Sequence, residues 1–109
     1  MAHREPLFDY FDQQKPEIQA LFDARRYKDA IEPMSKAVKH FKHLLYQLNA
    51  ETDLEKNPES LQLKPINIKE RLDYLDANLK QYHAFLQLET LYEEVEKLYA
   101  KKAIMDKMV

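Results

Sequence analysis

Asn67-Ile68-Lys69-Glu70-Arg71-Leu72-Asp73-Tyr74-Leu75 opens the stretch that decides the fold, and Tyr82-His83-Ala84-Phe85-Leu86-Gln87-Leu88 carries it on toward Met105. Asn67 followed by Glu70 has the spacing of a capping box. In that motif the Asn side chain accepts from the Glu70 N–H and the Glu reaches back to the Asn67 N–H. The pair Asn67 and Glu70 is therefore read as a structural cap that starts a helix. Ile68, Leu72, Leu75 and Leu79 fall on one face of it. Asn78 suits a left-handed C-cap with Leu79 folding back on Tyr74, so the chain is expected to break there. The last helix is expected over about Lys80 to Met105. Phe85, Leu88, Tyr92, Val95 and Tyr99 recur at intervals of three and four, and Ala84, Leu91, Leu98 and Met105 widen that seam. A face this wide suits a central position in a bundle. Any part its neighbours leave uncovered would be a dimer or partner surface. On its opposite side, Glu93 and Lys97 have the spacing of a helical ion pair.

Composition agrees with an all-α domain. The 109 residues include no Gly and no Cys, and 45% are apolar. Without Gly, hairpin turns and phosphate-cradling loops have no conformationally free residue to build on. Without Cys, disulfides and thiolate metal sites are excluded. The length fits one helical domain over residues 1–109 with an irregular connection at about 49–66. Met1 to Pro6 lacks the apolar core of a signal peptide. The longest apolar run is three residues, whereas a membrane span needs about 20. The expectation is a soluble cytoplasmic protein with no membrane partner.

Upstream, Pro6 and Pro16 each suit the first turn of a helix. Leu7, Phe8 and Phe11 follow the first, and Ile18, Leu21 and Phe22 the second. Two short helices are expected, about Pro6 to Gln13 and Pro16 to Arg25. The next runs to about Leu48, with Ile31, Met34, Val38, Phe41, Leu45 and Leu48 as its core stripe. Pro33 interrupts this pattern, and a kink or a restart is expected there. Asn49 to Ile66 holds Pro58 and Pro65 and no helical period. Leu61, Leu63 and Ile66 are its candidates for docking in extended form. The bundle then has about five helices with a long one at the C-terminus.

Charge is unevenly placed although the net is only −2. Arg25 to His43 carries six cationic and two acidic residues, a net of +4. The cations are Arg25, Arg26, Lys28, Lys36, Lys39 and Lys42. Lys69 to Glu96 carries three cationic and seven acidic residues, a net of −4. The plain reading is two oppositely charged elements that face each other or share a solvated surface. The other is a basic patch for nucleic acid, against which a sequence pI of about 6.1 counts.

Nothing in the sequence has the form of a catalytic motif. Walker loops, dinucleotide fingerprints and nucleophile–base signatures are absent. His40 and His43 are three apart on one helix and could share a metal, but they sit among Lys36, Lys39 and Lys42, and no Glu-x-x-His pattern supports them. His83, between Tyr82 and Phe85, reads as a satisfied bundle histidine. No catalytic residue, cofactor or metal is expected.

Lys64 to Leu72, Tyr82 to Leu88 and Leu91-Tyr92-Glu93-Glu94 together resemble the YpoC-like family. The resemblance covers about 40 residues of the second half. It implies a small bacterial cytoplasmic helical domain and carries over no site residue. The functional expectation is a non-enzymatic protein-interaction module with an unidentified protein partner or a second copy of itself. The alternative is a nucleic-acid-associated protein that uses Arg25 to His43.

Overall fold

The structure is a computed structural model that describes residues 4–108. It contains four α-helices: α1 (Pro6–Asp23), α2 (Tyr27–Leu48), α3 (Ile68–Ala77) and α4 (Tyr82–Lys107). A single 3-10 turn, Pro58–Ser60, lies in the connection between α2 and α3. The described residues contain no strand. The fold class is all-α, with four helices where about five were expected.

The lost boundary is at Pro16. It lies inside α1, which continues through it. An interior Pro removes one backbone bond and costs about 3 kcal/mol. Phe8 and Phe11 before it and Ile18 and Phe22 after it are all buried. Burial of each such side chain contributes about 1.5–3 kcal/mol, so the shared apolar face outweighs the defect. Pro33 is handled in the same way. Helix α2 starts six residues earlier, at Tyr27, and does not restart at Pro33, because Ala30 and Met34 on either side are fully buried.

A chain without Gly still turns through the left-handed region. Arg25, Ala50 and Asn67 have φ of 57°, 53° and 55°. Two of them close helices by the same device. After α1, Arg25 N–H donates to Phe22 O (3.0 Å) and Arg26 N–H to Leu21 O (2.8 Å). After α2, Ala50 N–H donates to Gln47 O (3.0 Å) and Glu51 N–H to Tyr46 O (2.9 Å). Both are Schellman motifs with a Cβ where Gly is normally preferred.

Side chains at the end of α2 hold the connection from Asn49 to Asn67; the Tyr46 hydroxyl donates to Lys56 O, and Asn49 clamps Leu63. Asn49 Nδ2 donates to Leu63 O and Leu63 N–H donates to Asn49 Oδ1, both at 2.7 Å. Leu61 and Pro65 are buried and Leu63 is half-buried. Ile66, expected to dock, is instead 76% exposed.

The cap expected at Asn67 and Glu70 does not form. Asn67 is left-handed and its side chain makes no capping bond. An N-cap of the expected kind needs extended backbone to aim its oxygen at the first turn. The Lys69 N–H is taken by Glu59 Oε1 at 3.0 Å, from the 3-10 turn. The break at Asn78 is present, but Asn78 is not left-handed (φ −134°). Its amide instead donates to Tyr74 O at 2.8 Å.

Helix α4 contacts α1, α2 and α3. Its buried residues Ala84, Phe85, Leu88, Leu91, Tyr92 and Val95 join one core cluster with side chains of the other three helices. Phe11 stacks on Tyr92 with ring centroids 3.8 Å apart, and Phe41 meets Tyr92 edge-on at 5.5 Å. The Tyr92 and Tyr99 hydroxyls donate to Ala37 O and Leu44 O of α2, each at 2.6 Å. The neighbours therefore cover α4 as far as Val95. Beyond Tyr99 they do not: Ile104 and Met105 are exposed.

Replacing Ala50 by Gly relieves a Cβ held at positive φ. The expected result is a gain of about 0.5–1 kcal/mol in stability, read by urea denaturation at unchanged slope. A loss of stability would show that the Ala50 methyl contributes more than its backbone strain costs.

Candidate functional site

Helices α3 and α4 enclose a cleft of about 270 Å³ lined by Asn67, Glu70, Arg71, Tyr74, His83 and Gln87. The α3 residues are spaced three, one and three apart, so they fall on one face of that helix. His83 and Gln87 are one turn apart at the start of α4. The wall between the helices is fixed by Arg71, whose guanidinium grips Glu94 of α4 as a fork. Nη2 donates to Oε2 at 2.5 Å and Nη1 to Oε1 at 3.3 Å. Nη1 also donates to Ile66 O at 3.2 Å, which ties the exposed Ile66 to the rim. Paired, planar bonds of this kind hold orientation as well as charge.

Arg71 finds its carboxylate partner 23 residues on. His83, read as a satisfied bundle histidine, is not a core residue. It is exposed and meets the Tyr74 ring edge-to-face at 5.9 Å. Asn67 and Glu70, freed from the capping role, face the cleft, and among the described residues Glu70 has no ion-pair partner. The six residues make a mostly apolar floor with two amides, a carboxylate, a guanidinium and an imidazole around it. The sequence signal for this candidate site is the crowding of polar side chains at Asn67, Glu70, Arg71, His83 and Gln87 between core positions, of which the capping reading absorbed Asn67 and Glu70.

The basic residues are placed differently. Lys28, Lys36, Lys39 and Lys42 share the outer face of α2, while Arg25 and Arg26 sit in the turn before it. Arg26 pairs with Asp29 at 2.8 Å. Lys36 Nζ lies 5.3 Å above the Tyr10 ring. Lys42 reaches Asp76 of α3 at 3.6 Å. Among the described residues that is the one ion pair joining the basic segment to the acidic Lys69–Glu96 segment, so the two do not neutralise each other face to face. The expected Glu93–Lys97 pair is also not formed. The clearest cross-bundle charge contacts lie elsewhere. Arg4 donates to Glu96 (2.6 Å), Asp9 (2.5 Å) and Asp12 (2.8 Å), joining the start of α1 to α4.

His40 lies edge-on to Tyr10 at 5.0 Å. Burial, then the charges of Lys36 and His43, hold its pKa below the ordinary His value, so it is neutral near pH 7. Among the described residues no three His, Asp or Glu side chains are grouped to hold a metal ion. No described helix is long and apolar enough to cross a membrane. Burial raises the Tyr92 and Tyr99 hydroxyls well above the ordinary Tyr range.

The family model described as YpoC-like protein matches residues 2–107. No curated protein and no solved structure matches the chain.

The tyrosines supply a test of the α2–α4 contact. Because the folded state holds the Tyr92 proton more tightly than the unfolded chain, its contribution is complete below pH 10 and is lost as pH rises past that ordinary value. Tyr92→Phe is expected to cost about 1 kcal/mol at pH 7. It should also flatten the fall in stability above pH 10 relative to the parent. Guanidinium titrations across that range read both, and an identical alkaline fall in the variant would place the ionising group elsewhere.

Proposed function

The chain belongs to the YpoC-like family, and from that premise we propose that it is a non-enzymatic protein-interaction module that receives a partner segment in the α3–α4 cleft. The observation that carries this reading is that Asn67 and Glu70 are turned to the cleft instead of capping α3. The floor beside Tyr74 suits an apolar side chain. Glu70, without an ion-pair partner among the described residues, suits a cation next to it. The partner segment then has an apolar anchor flanked by Lys or Arg. The Arg71–Glu94 fork keeps the two walls at fixed separation, so docking needs little reorganisation. A cytoplasmic, bacterial setting goes with the family reading.

The outer face of α2 favours a second reading. Lys28, Lys36 and Lys39 are exposed, lie on one side of the helix and have no ion-pair partner among the described residues. Such a row suits an anionic polymer, and its binding would weaken steeply with salt.

One experiment separates the two. The tagged protein and its Glu70→Lys variant are used to capture material from native cells, with and without nuclease. The cleft reading expects a protein recovered under both nuclease conditions by the parent and lost by Glu70→Lys, with the melting temperature of the variant unchanged. Equal recovery by both forms would overturn it. Material lost on nuclease treatment, and on changing Lys36 and Lys39 to Glu, would favour the α2 face.

A further inference from the structure

Helix α4 has an outer face that none of its neighbours covers, and its pattern is self-complementary. The residues along it are Leu86, Thr90, Glu93, Lys97, Ala100, Ile104 and Met108, at intervals of four, three, four, three, four and four. From Leu86 to Ile104 that is a heptad seam on the side of the helix opposite the core, and Met108, the C-cap, follows it. It is apolar at both ends: Leu86 is 40%, Ile104 61% and Met108 81% exposed. Its middle carries one acid and one base, Glu93 and Lys97, and neither has an ion-pair partner among the described residues. A shallow concavity lies at this midpoint, lined by Glu93, Glu96, Lys97 and Ala100.

We propose that this face pairs with a second copy of the chain, antiparallel, about a two-fold axis at the level of Val95. In that register every seam residue meets a suitable counterpart. Leu86 faces Ile104 of the second copy, Thr90 faces Ala100, and Glu93 faces Lys97. Each contact occurs twice, as two-fold symmetry requires. The small Thr90 and Ala100 let the helices approach closely beside the central charges. The same operation brings Tyr82, itself 40% exposed, to Met108. A parallel pair is disfavoured by the same residues, since Glu93 would face Glu93 and Lys97 would face Lys97. Charge therefore selects the second copy and its direction.

The surface is narrow. Leu86 to Ile104 is about 27 Å of helix roughly 10 Å across, or about 300 Å² per copy, well short of the ~800 Å² per partner of a stable complex. The dimer is accordingly weak, with a micromolar or poorer dissociation constant. It is distinct from the α3–α4 cleft, so the chain can hold a foreign segment and a second copy of itself at once.

The test uses the whole chain. Sedimentation velocity at low salt, with loading raised to about 0.5 mM to match so small an interface, is expected to show a monomer–dimer equilibrium. Lys97→Glu should weaken it about tenfold. Adding Glu93→Lys to Lys97→Glu should restore it, because the swapped charges again face each other. These side chains are exposed, so melting temperatures should not move. Glu70→Lys in the cleft should leave the equilibrium untouched, which keeps this result separate from the capture experiment. Direction is read by cysteine pairing, for which the cysteine-free chain is a clean background. Leu86→Cys mixed with Ile104→Cys should oxidise to the mixed disulfide in preference to either homodimer. A monomer at every loading, an equilibrium indifferent to Lys97→Glu, or preferred homodisulfides would overturn the proposal.

Discussion

The contact between Tyr92 of α4 and the other helices is the one on which the rest of the packing depends. Its ring is stacked on Phe11 from α1 and met edge-on by Phe41 from α2, and its hydroxyl is held by the Ala37 carbonyl. One side chain thus joins three helices, with its polar end satisfied inside the core. An unbonded hydroxyl there would cost about 1–3 kcal/mol. Tyr99 repeats the arrangement further along, with its hydroxyl on Leu44 O and its ring edge-on to Phe8 at 5.5 Å. The intervals of three and four between core residues of α4 follow from this. Each inward position must meet α1, α2 or α3 in turn, and a shift of one residue would remove both hydroxyls from their carbonyls.

That constraint explains what was legible in the sequence. The core of α2 and α4 could be read because Met34, Val38, Phe41 and Leu45, and Phe85, Leu88, Tyr92 and Val95, keep their period without interruption. What could not be read was decided by tertiary contact. Pro16 has the local signature of a helix start, yet Phe8, Phe11, Ile18 and Phe22 share one face across it, and their burial overrides the local preference. The Asn67–Glu70 spacing is that of a capping box. Whether it forms depends on the backbone of Asn67, which is set by the path of the connection arriving from Asn49. The carboxylate that accepts in the first turn of α3, Glu59, lies ten residues before the Lys69 N–H that it binds and has no local pattern to announce it. The left-handed residues Arg25 and Ala50 were hidden for the same reason, since nothing in either residue type prefers that region.

The candidate sites were partly legible. The cations of α2 were visible as a charge cluster, and the structure leaves three of them, Lys28, Lys36 and Lys39, exposed along one side of the helix. The cleft residues were visible only as members of a helix start and a family resemblance. They became a candidate site once the capping role was removed and Arg71 reached Glu94 across 23 positions. The two surfaces of α4 carry different work. One packs the bundle through Val95 and shares the cleft through His83 and Gln87. The other presents Leu86, Glu93, Lys97 and Ile104 outward. Family membership assigns no chemistry to either surface.

The measurement that bears most directly on the central place of α4 is native-state amide hydrogen exchange, resolved by residue. The packing described above predicts that the amides of Leu88 to Val95 exchange most slowly, at the free energy of global unfolding, together with those of Met34 to Leu45 in α2. Amides beyond Lys101, where α4 extends past its neighbours, should exchange far faster. If the slowest amides instead lay in α1 or α3, with Leu88 to Val95 opening below the global value, α4 would not be the element around which the bundle is built.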